Sequence, residues 1–204
     1  MNKTAKHKVY LMFTRTNTLL SKAIYKRTKE PYTHVAISLD DSLNEFYSFG
    51  RRYTPFMLPA GFAKESPFLG VYEKNPNTEI KIIYKEIDEY KYRLIKNKLT
   101  SMYQNRKDYK YDIIGILLCN KNITFKRDKH KFCSQFVSEI LSMTDIVDIK
   151  KDVKHIRPSE LYFMKDIKDG FSPFFEGSVY ELMELGTKNY ELPFINAVGC
   201  EKVY

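Results

Sequence analysis

Short apolar runs separated by polar clusters set the first expectations for this chain. Val9-Tyr10-Leu11-Met12-Phe13-Thr14 is rich in β-formers and predicts a strand. Asn17-Thr18 suits a helix cap before Leu19 to Lys29, where Leu20, Ala23 and Ile24 recur at helical spacing and Pro31 ends the segment. His34 to Leu39 and Asn44 to Phe49 predict two strands, joined as a hairpin by the turn cluster Asp40-Asp41-Ser42. Residues 51–77 carry scattered Gly and Pro without a period and are expected to form a long loop, either a lid or an irregular excursion over a pocket. Thr78 to Asp88 alternates, with Ile80, Ile82 and Tyr84 on one side, and predicts a strand. Tyr92, Ile95, Leu99 and Met102 make Glu89 to Asn105 an amphipathic helix. Tyr111 to Leu118 is a buried apolar segment, helix or strand. Phe132 to Met143 predicts a helix whose core face is Phe136, Val137, Ile140 and Leu141. The rest mixes loops with short elements, including Phe174 to Leu185.

Strands separated by helices, plus a hairpin, predict an α+β fold. The length, 204 residues, is that of one domain, and 43% apolar residues supply a core. Cys119, Cys133 and Cys200 form no CxxC pair, which argues against a disulfide framework and against a zinc site. No metal and no cofactor are therefore expected. The apolar run after the basic start is too short for a signal peptide, and Ile113 to Cys119 is far too short for a membrane span. A cytoplasmic protein without a transmembrane segment is the expectation.

The net charge of +9 raises the question of a nucleic-acid partner. By segment the net is +7 over 1–30, −1 over 31–72, +7 over 73–135 and −4 over 136–204. The lysines and tyrosines interleaved between Lys81 and Lys110 belong to a strand and an amphipathic helix, so they read as a solvated face and a core face. A basic nucleic-acid-binding module is accordingly a rival reading, and no nucleic acid is expected as a partner.

Cys133 is the most informative residue. It opens a predicted helix, shares the side of Phe136 and Val137, and follows Lys126, Arg127, Lys129, His130 and Lys131. The helix dipole and these cations both favour thiolate over thiol, which would make Cys133 a nucleophile. The plainer reading is a buried structural cysteine. Of four histidines, His7 lies in a basic tail, and His130 and His155 lie in loop-like stretches. His34 opens an apolar strand, where an imidazole can be held rigidly. A third group should orient that ring through its other nitrogen. On the next strand Glu45, Tyr47 and Phe49 share one face, and Asn44, Phe46 and Ser48 the other. Glu45 is the strongest acceptor, and Asn44 or Ser48 replaces it if the register turns the other face inward.

The order of Tyr32-Thr33-His34-Val35-Ala36-Ile37, then Glu45-Phe46-Tyr47-Ser48-Phe49-Gly50-Arg51, then Phe132-Cys133-Ser134-Gln135-Phe136-Val137 resembles the circularly permuted NlpC-like branch of papain-fold thiol hydrolases. That branch includes YiiX-like proteins and the lecithin retinol acyltransferase relatives. Arg157-Pro158-Ser159-Glu160-Leu161 looks like its Pro-x-x-Leu segment. The resemblance covers roughly residues 8–165 and leaves 166–204 as a C-terminal appendage. It implies a permuted papain-like fold, a small antiparallel sheet against helices with the nucleophile at a helix N-terminus. It also implies a thiol-dependent acyl-transfer enzyme, an amide or peptide hydrolase first and an esterase or acyltransferase next. Cys133 is then nucleophile, His34 general base and acid, and Glu45 the orienting group. The expected partner is a small-molecule, peptide or lipid acyl substrate, and the basic stretches suit an anionic one. A catalytically silent papain-fold binding protein is the second rival.

Overall fold

The computed structural model describes residues 6–16, 25–26, 29–52, 60–112 and 129–188. Eight strands form one sheet: β1 (His7–Arg15), β2 (His34–Ser38), β3 (Phe46–Arg51), β4 (Ala60–Glu65), β5 (Glu79–Ile87), β6 (Lys110–Tyr111), β7 (His130–Lys131) and β8 (Ser172–Ser178). Among the elements described with their bounds are the α-helices α1 (Glu89–Gln104), α2 (Cys133–Met143), α3 (Pro158–Phe163), α4 (Lys165–Gly170) and α5 (Val179–Lys188). The strand order is β7-β6-β4-β3-β2-β1-β5-β8. All neighbours pair antiparallel except β6 and β7, which run parallel, so the α+β sheet is mixed and larger than the small antiparallel one expected. Among the described residues no helix is long and apolar enough to cross a membrane.

The unbroken apolar run of β1 has a direct cause. Val9, Leu11 and Phe13 face a core built with Ile95 and Leu99 of α1 and Phe136, Val137 and Ile140 of α2. Tyr10 and Met12 face a second core with Val179 and Leu182 of α5. A strand covered on both sides reads as continuous rather than alternating. Within the first core Phe136 meets Phe62 and Phe49 at ring-centroid distances of 5.1 and 5.6 Å. Burying one such ring contributes about 2–3 kcal/mol, and these contacts seat the first turns of α2 on β3 and β4.

Two expectations change. Residues 51–77 contain β4, which pairs with β3 from Phe46↔Glu65 to Arg51↔Ala60. Ala60-Gly61-Phe62-Ala63-Lys64-Glu65 has one large apolar side chain, too little to announce a strand; the pairing with β3 makes it one. Gly61 is obligatory there, because a Cβ would stand 2.2 Å from the Tyr109 carbonyl oxygen. Secondly, the segment expected as an appendage contains β8, which pairs with β5 from Glu79↔Ser178 to Tyr84↔Ser172, and α5 on the second core. Pro173 and Gly177 hide this strand from a propensity reading, and its place at the sheet edge is where proline is tolerated. The expected helix over Leu19 to Lys29 lies largely outside the described residues, as does the apolar segment from Tyr111 to Leu118 beyond residue 112.

Candidate active site

His34 begins β2 and Cys133 begins α2, and one segment, Ile156 to Ser159, ties both in place. Ser134 Oγ donates to the Ile156 carbonyl at 2.7 Å, anchoring the first turn of α2. Ser159 Oγ donates to the Tyr32 carbonyl and accepts from the Tyr32 N–H, both at 3.0 Å, anchoring the approach to β2. The Thr33 N–H donates to the Thr14 carbonyl at 3.0 Å, and Thr14 lies opposite His34 in the β1–β2 ladder. Arg157 pairs with Glu30 at 2.7 Å just upstream. The Pro-x-x-Leu segment thus has a structural job: its serine, placed at the second position of α3, holds the histidine strand.

The Cys133 side chain lies near enough to the His34 ring to act on its charge. On the ring's far side Nε2 stands 2.7 Å from Glu65 Oε1. With Nε2 engaged, Nδ1 is the nitrogen left for the thiol. The His34 and Glu65 side chains are 18% and 23% exposed, so their attraction is only partly screened. Burial by itself pulls the His34 pKa down, but the Glu65 carboxylate and the neighbouring Cys133 side chain overcome this and hold it well above 6.5.

Glu45 does not reach His34. Its carboxylate accepts from the Tyr47 hydroxyl and from Lys64 Nζ, the latter at 2.6 Å. The register is the reason. Ile37 pairs with Tyr47, which puts residues of their parity on one face, and Glu45 belongs to that set. His34 has the other parity, as do Phe46 and its β4 partner Glu65. The structure therefore brings Cys133 and His34 together and sets Glu65 where Glu45 was expected. The two substitutes on the inward face are also engaged elsewhere: Ser48 Oγ donates to the Val35 carbonyl at 2.7 Å, and Asn44 Nδ2 donates to Ser42 Oγ. Glu65 was missed because it falls in the stretch read as loop. Its available signal was the short alternation Phe62-Ala63-Lys64-Glu65 between Gly61 and Pro67.

The N-terminus of α2 is open to chemistry. Its N-cap is Phe132, no side chain caps it, and its first turn carries no acidic residue. The first intrahelical bond runs from the Phe136 N–H to the Phe132 carbonyl, so the N–H groups of Cys133, Ser134 and Gln135 precede the ladder. Cys133 is fully buried, so an electrophile reaches it only when neighbouring groups move. The basic stretch before it contributes less than expected: Lys129 pairs with Asp108 at 2.9 Å and Lys131 with Glu139. Lys126 and Arg127 lie outside the described residues, as do Cys119 and Cys200. His7 pairs with Glu89 and stacks on Tyr92, His130 sits in β7, and His155 ends a short 3-10 turn. Among the described residues no group of three His, Cys, Asp or Glu is placed to hold a metal.

No protein-family model matches the chain, and neither curated proteins nor solved structures gave a match.

Proposed function

We propose that the protein is a thiol-dependent acyl-transfer enzyme of the amide- or peptide-hydrolase type, with a permuted papain-like arrangement of its site. The observation that carries the reading is the succession Cys133, His34, Glu65: a thiol at a helix N-terminus, an imidazole within its reach, and a carboxylate 2.7 Å behind the imidazole. Glu65, rather than Glu45, takes the orienting role. Its attachment to Nε2 fixes the ring's tautomer and plane and stabilises the imidazolium.

In the reaction His34 accepts the Cys133 proton, and the thiolate attacks an amide or ester carbonyl carbon. The carbonyl oxygen becomes an oxyanion, for which the free N–H groups of the first turn of α2 are the donors. As the tetrahedral species collapses, the bond to the leaving group breaks and His34 returns its proton to that group. A thioester to Cys133 remains. Water then attacks it, with His34 taking the proton, and the acid leaves as the thiol is restored. A peptide, lipid or small-molecule acyl donor is the proposed partner, and a reducing compartment such as the cytoplasm suits the free thiol.

The test is alkylation of Cys133 by iodoacetamide, followed by peptide mass mapping across pH. The expected profile rises well below the range of a free thiol, whose pKa is about 8.5, and His34→Ala removes the early rise. The burial of Cys133 favours one other reading, a catalytically silent binding protein on the same frame. An alkylation profile that follows an ordinary thiol in both proteins selects that reading and refutes ours.

A further inference from the structure

Arg52, just past the end of β3, carries a charge that the fold does not answer. Its Nη2 donates to the carbonyls of Arg106 and Tyr109, and both acceptors are neutral. Arg15, Arg93 and Arg157 each pair with a glutamate, but among the described residues no carboxylate pairs with Arg52. Its Nε is closed off from solvent and has no hydrogen-bond partner. A half-buried cation with an idle N–H is costly, and each such group in a folded protein needs an explanation.

The position of the guanidinium supplies one. Gly50 and Gly61 are partners in the β3–β4 ladder, so two neighbouring positions on one face of the sheet have no side chain. Arg52 lies over Gly61: its Nη2 and Cζ stand 2.5 and 3.0 Å from the point where a Cβ of residue 61 would be. His34 lies over Gly50: its Cε1 is 3.8 Å from the corresponding point there, the one contact within 4 Å among the described residues beyond the adjoining chain. The register agrees, because counting antiparallel from Ile37↔Tyr47 sets Gly50 opposite His34. Opposed Cβ positions are about 5 Å apart. Ring and guanidinium therefore flank a short strip of bare backbone, with open space above Gly50. The backbone does not demand glycine at 50, since the left-handed glycine of the described residues is Gly70. What the missing side chain preserves is the space, and a strand glycine of this kind suits the close approach of a ligand.

We propose that this strip is a carboxylate subsite: Arg52 receives a substrate carboxylate that lies a few bonds from the carbonyl attacked by Cys133. The proposal rests on the acyl-transfer reading and names its substrate class, an amide or peptide with a carboxylate close to the bond that is cut. The two backbone carbonyls hold Nη2 and fix the plane of the guanidinium, and Nη1 and Nε carry the donors left for a ligand. Charge-assisted bonds from such donors to a carboxylate are among the strong ones. One unanswered cation suits one carboxylate, because His34 already has Glu65 at 2.7 Å. Nε, like the buried Cys133 thiol, is reached only when neighbouring groups move. Arg52 acts on the substrate's charge and leaves the proton transfers to His34.

The experiment uses the full chain and alkylating reagents that differ only in charge: iodoacetyl-glycine and iodoacetyl-β-alanine, each against its own amide. Their reactive carbon is that of iodoacetamide, and the two lengths carry the carboxylate to different reach. The readout is the acid-to-amide ratio of Cys133 alkylation rates at neutral pH, with glutathione as the reference thiol. In the wild type at least one acid should be preferred by about 10-fold over the glutathione ratio, the size of a charge-assisted hydrogen bond. Arg52→Gln should return the ratio to that of glutathione, and Arg52→Lys, which keeps the charge without the planar fork, should fall between the two. A wild type without preference overturns the proposal, and so does a preference that Arg52→Gln leaves intact. In both cases an iodoacetamide profile that still depends on His34 leaves the acyl-transfer reading standing. An ordinary thiol profile together with an Arg52-dependent preference does the reverse: it supports the carboxylate site and overturns the reading. If Arg52→Gln does not fold, Arg52→Lys carries the test; a reduced preference supports the proposal and an unchanged one overturns it.

Discussion

Helices α1 and α2 start in opposite ways. At α1 the Asp88 side chain accepts from the Lys91 N–H at 2.8 Å, and Glu89 adds negative charge to the first turn. Both features satisfy the free N–H groups and complement the helix dipole. At α2 the N-cap is the buried Phe132, no side chain accepts from the first turn, and no acid stands in it. In their place is a thiol near the His34 imidazole. The α1 start is finished in the way that stabilises a helix. Among the described residues no side chain caps the α2 start, which keeps its donors and its positive potential for an anion. Stability there comes from elsewhere: from Phe136 on the aromatic cluster, and from Ser134 bound to the Ile156 carbonyl.

Changes at the two helix starts should therefore have different readouts. The largest effect belongs to Glu65→Gln. It removes the charge that holds His34 protonated, and should lower the Cys133 alkylation rate at pH 6–7 by about 10- to 100-fold, the range of a lost charge-assisted hydrogen bond. The sign with pH follows from linkage. The His34 pKa is raised in the folded state, so the imidazolium's contribution to stability is complete below pH about 6.5 and fades as pH rises through the raised value. In Glu65→Gln that fading should move to lower pH, and melting temperatures of the two proteins measured across pH should converge on the alkaline side. A second prediction concerns the capped helix. Asp88→Ala should cost about 1 kcal/mol in urea unfolding and leave Cys133 alkylation unchanged; a changed alkylation profile would contradict the separation of the two ends. The smallest effect is expected of Glu45→Gln. Its carboxylate is 40% exposed against Lys64, and such surface pairs contribute about 0–1 kcal/mol. Alkylation equal to wild type is the outcome that separates Glu45 from Glu65.

Periodicity and turn chemistry made much of the fold legible. β1, β2, β3, β5, α1 and α2 lie within a few residues of their expected limits, because each carries enough apolar or alternating residues to declare its own state. β4 and β8 were not legible, for a common reason. Each has glycine and few large apolar positions, and each becomes a strand only by pairing with a stronger neighbour, β3 or β5. The site divides along the same line. Cys133 and His34 stand at the starts of elements with strong local signals, so their candidacy shows in the chain. Glu65 stands in the weak strand, where only the short alternation after Gly61 marks it.

The choice between Glu45 and Glu65 marks the boundary most sharply. By itself the amino-acid sequence determined that a thiol opens an amphipathic helix, that a histidine opens an apolar strand, and that an acceptor was to be sought on a neighbouring strand. These follow from periods of 3.6 and 2, which depend on the backbone alone. Which acceptor meets the imidazole was decided by the tertiary structure, through the pairing of Ile37 with Tyr47 and of Phe46 with Glu65. Side chains alternate along a strand, so this register sends Glu45 to the face of Tyr47 and Lys64 and gives Glu65 the parity of His34. A register is a contact between distant segments, and no local pattern in either strand encodes it.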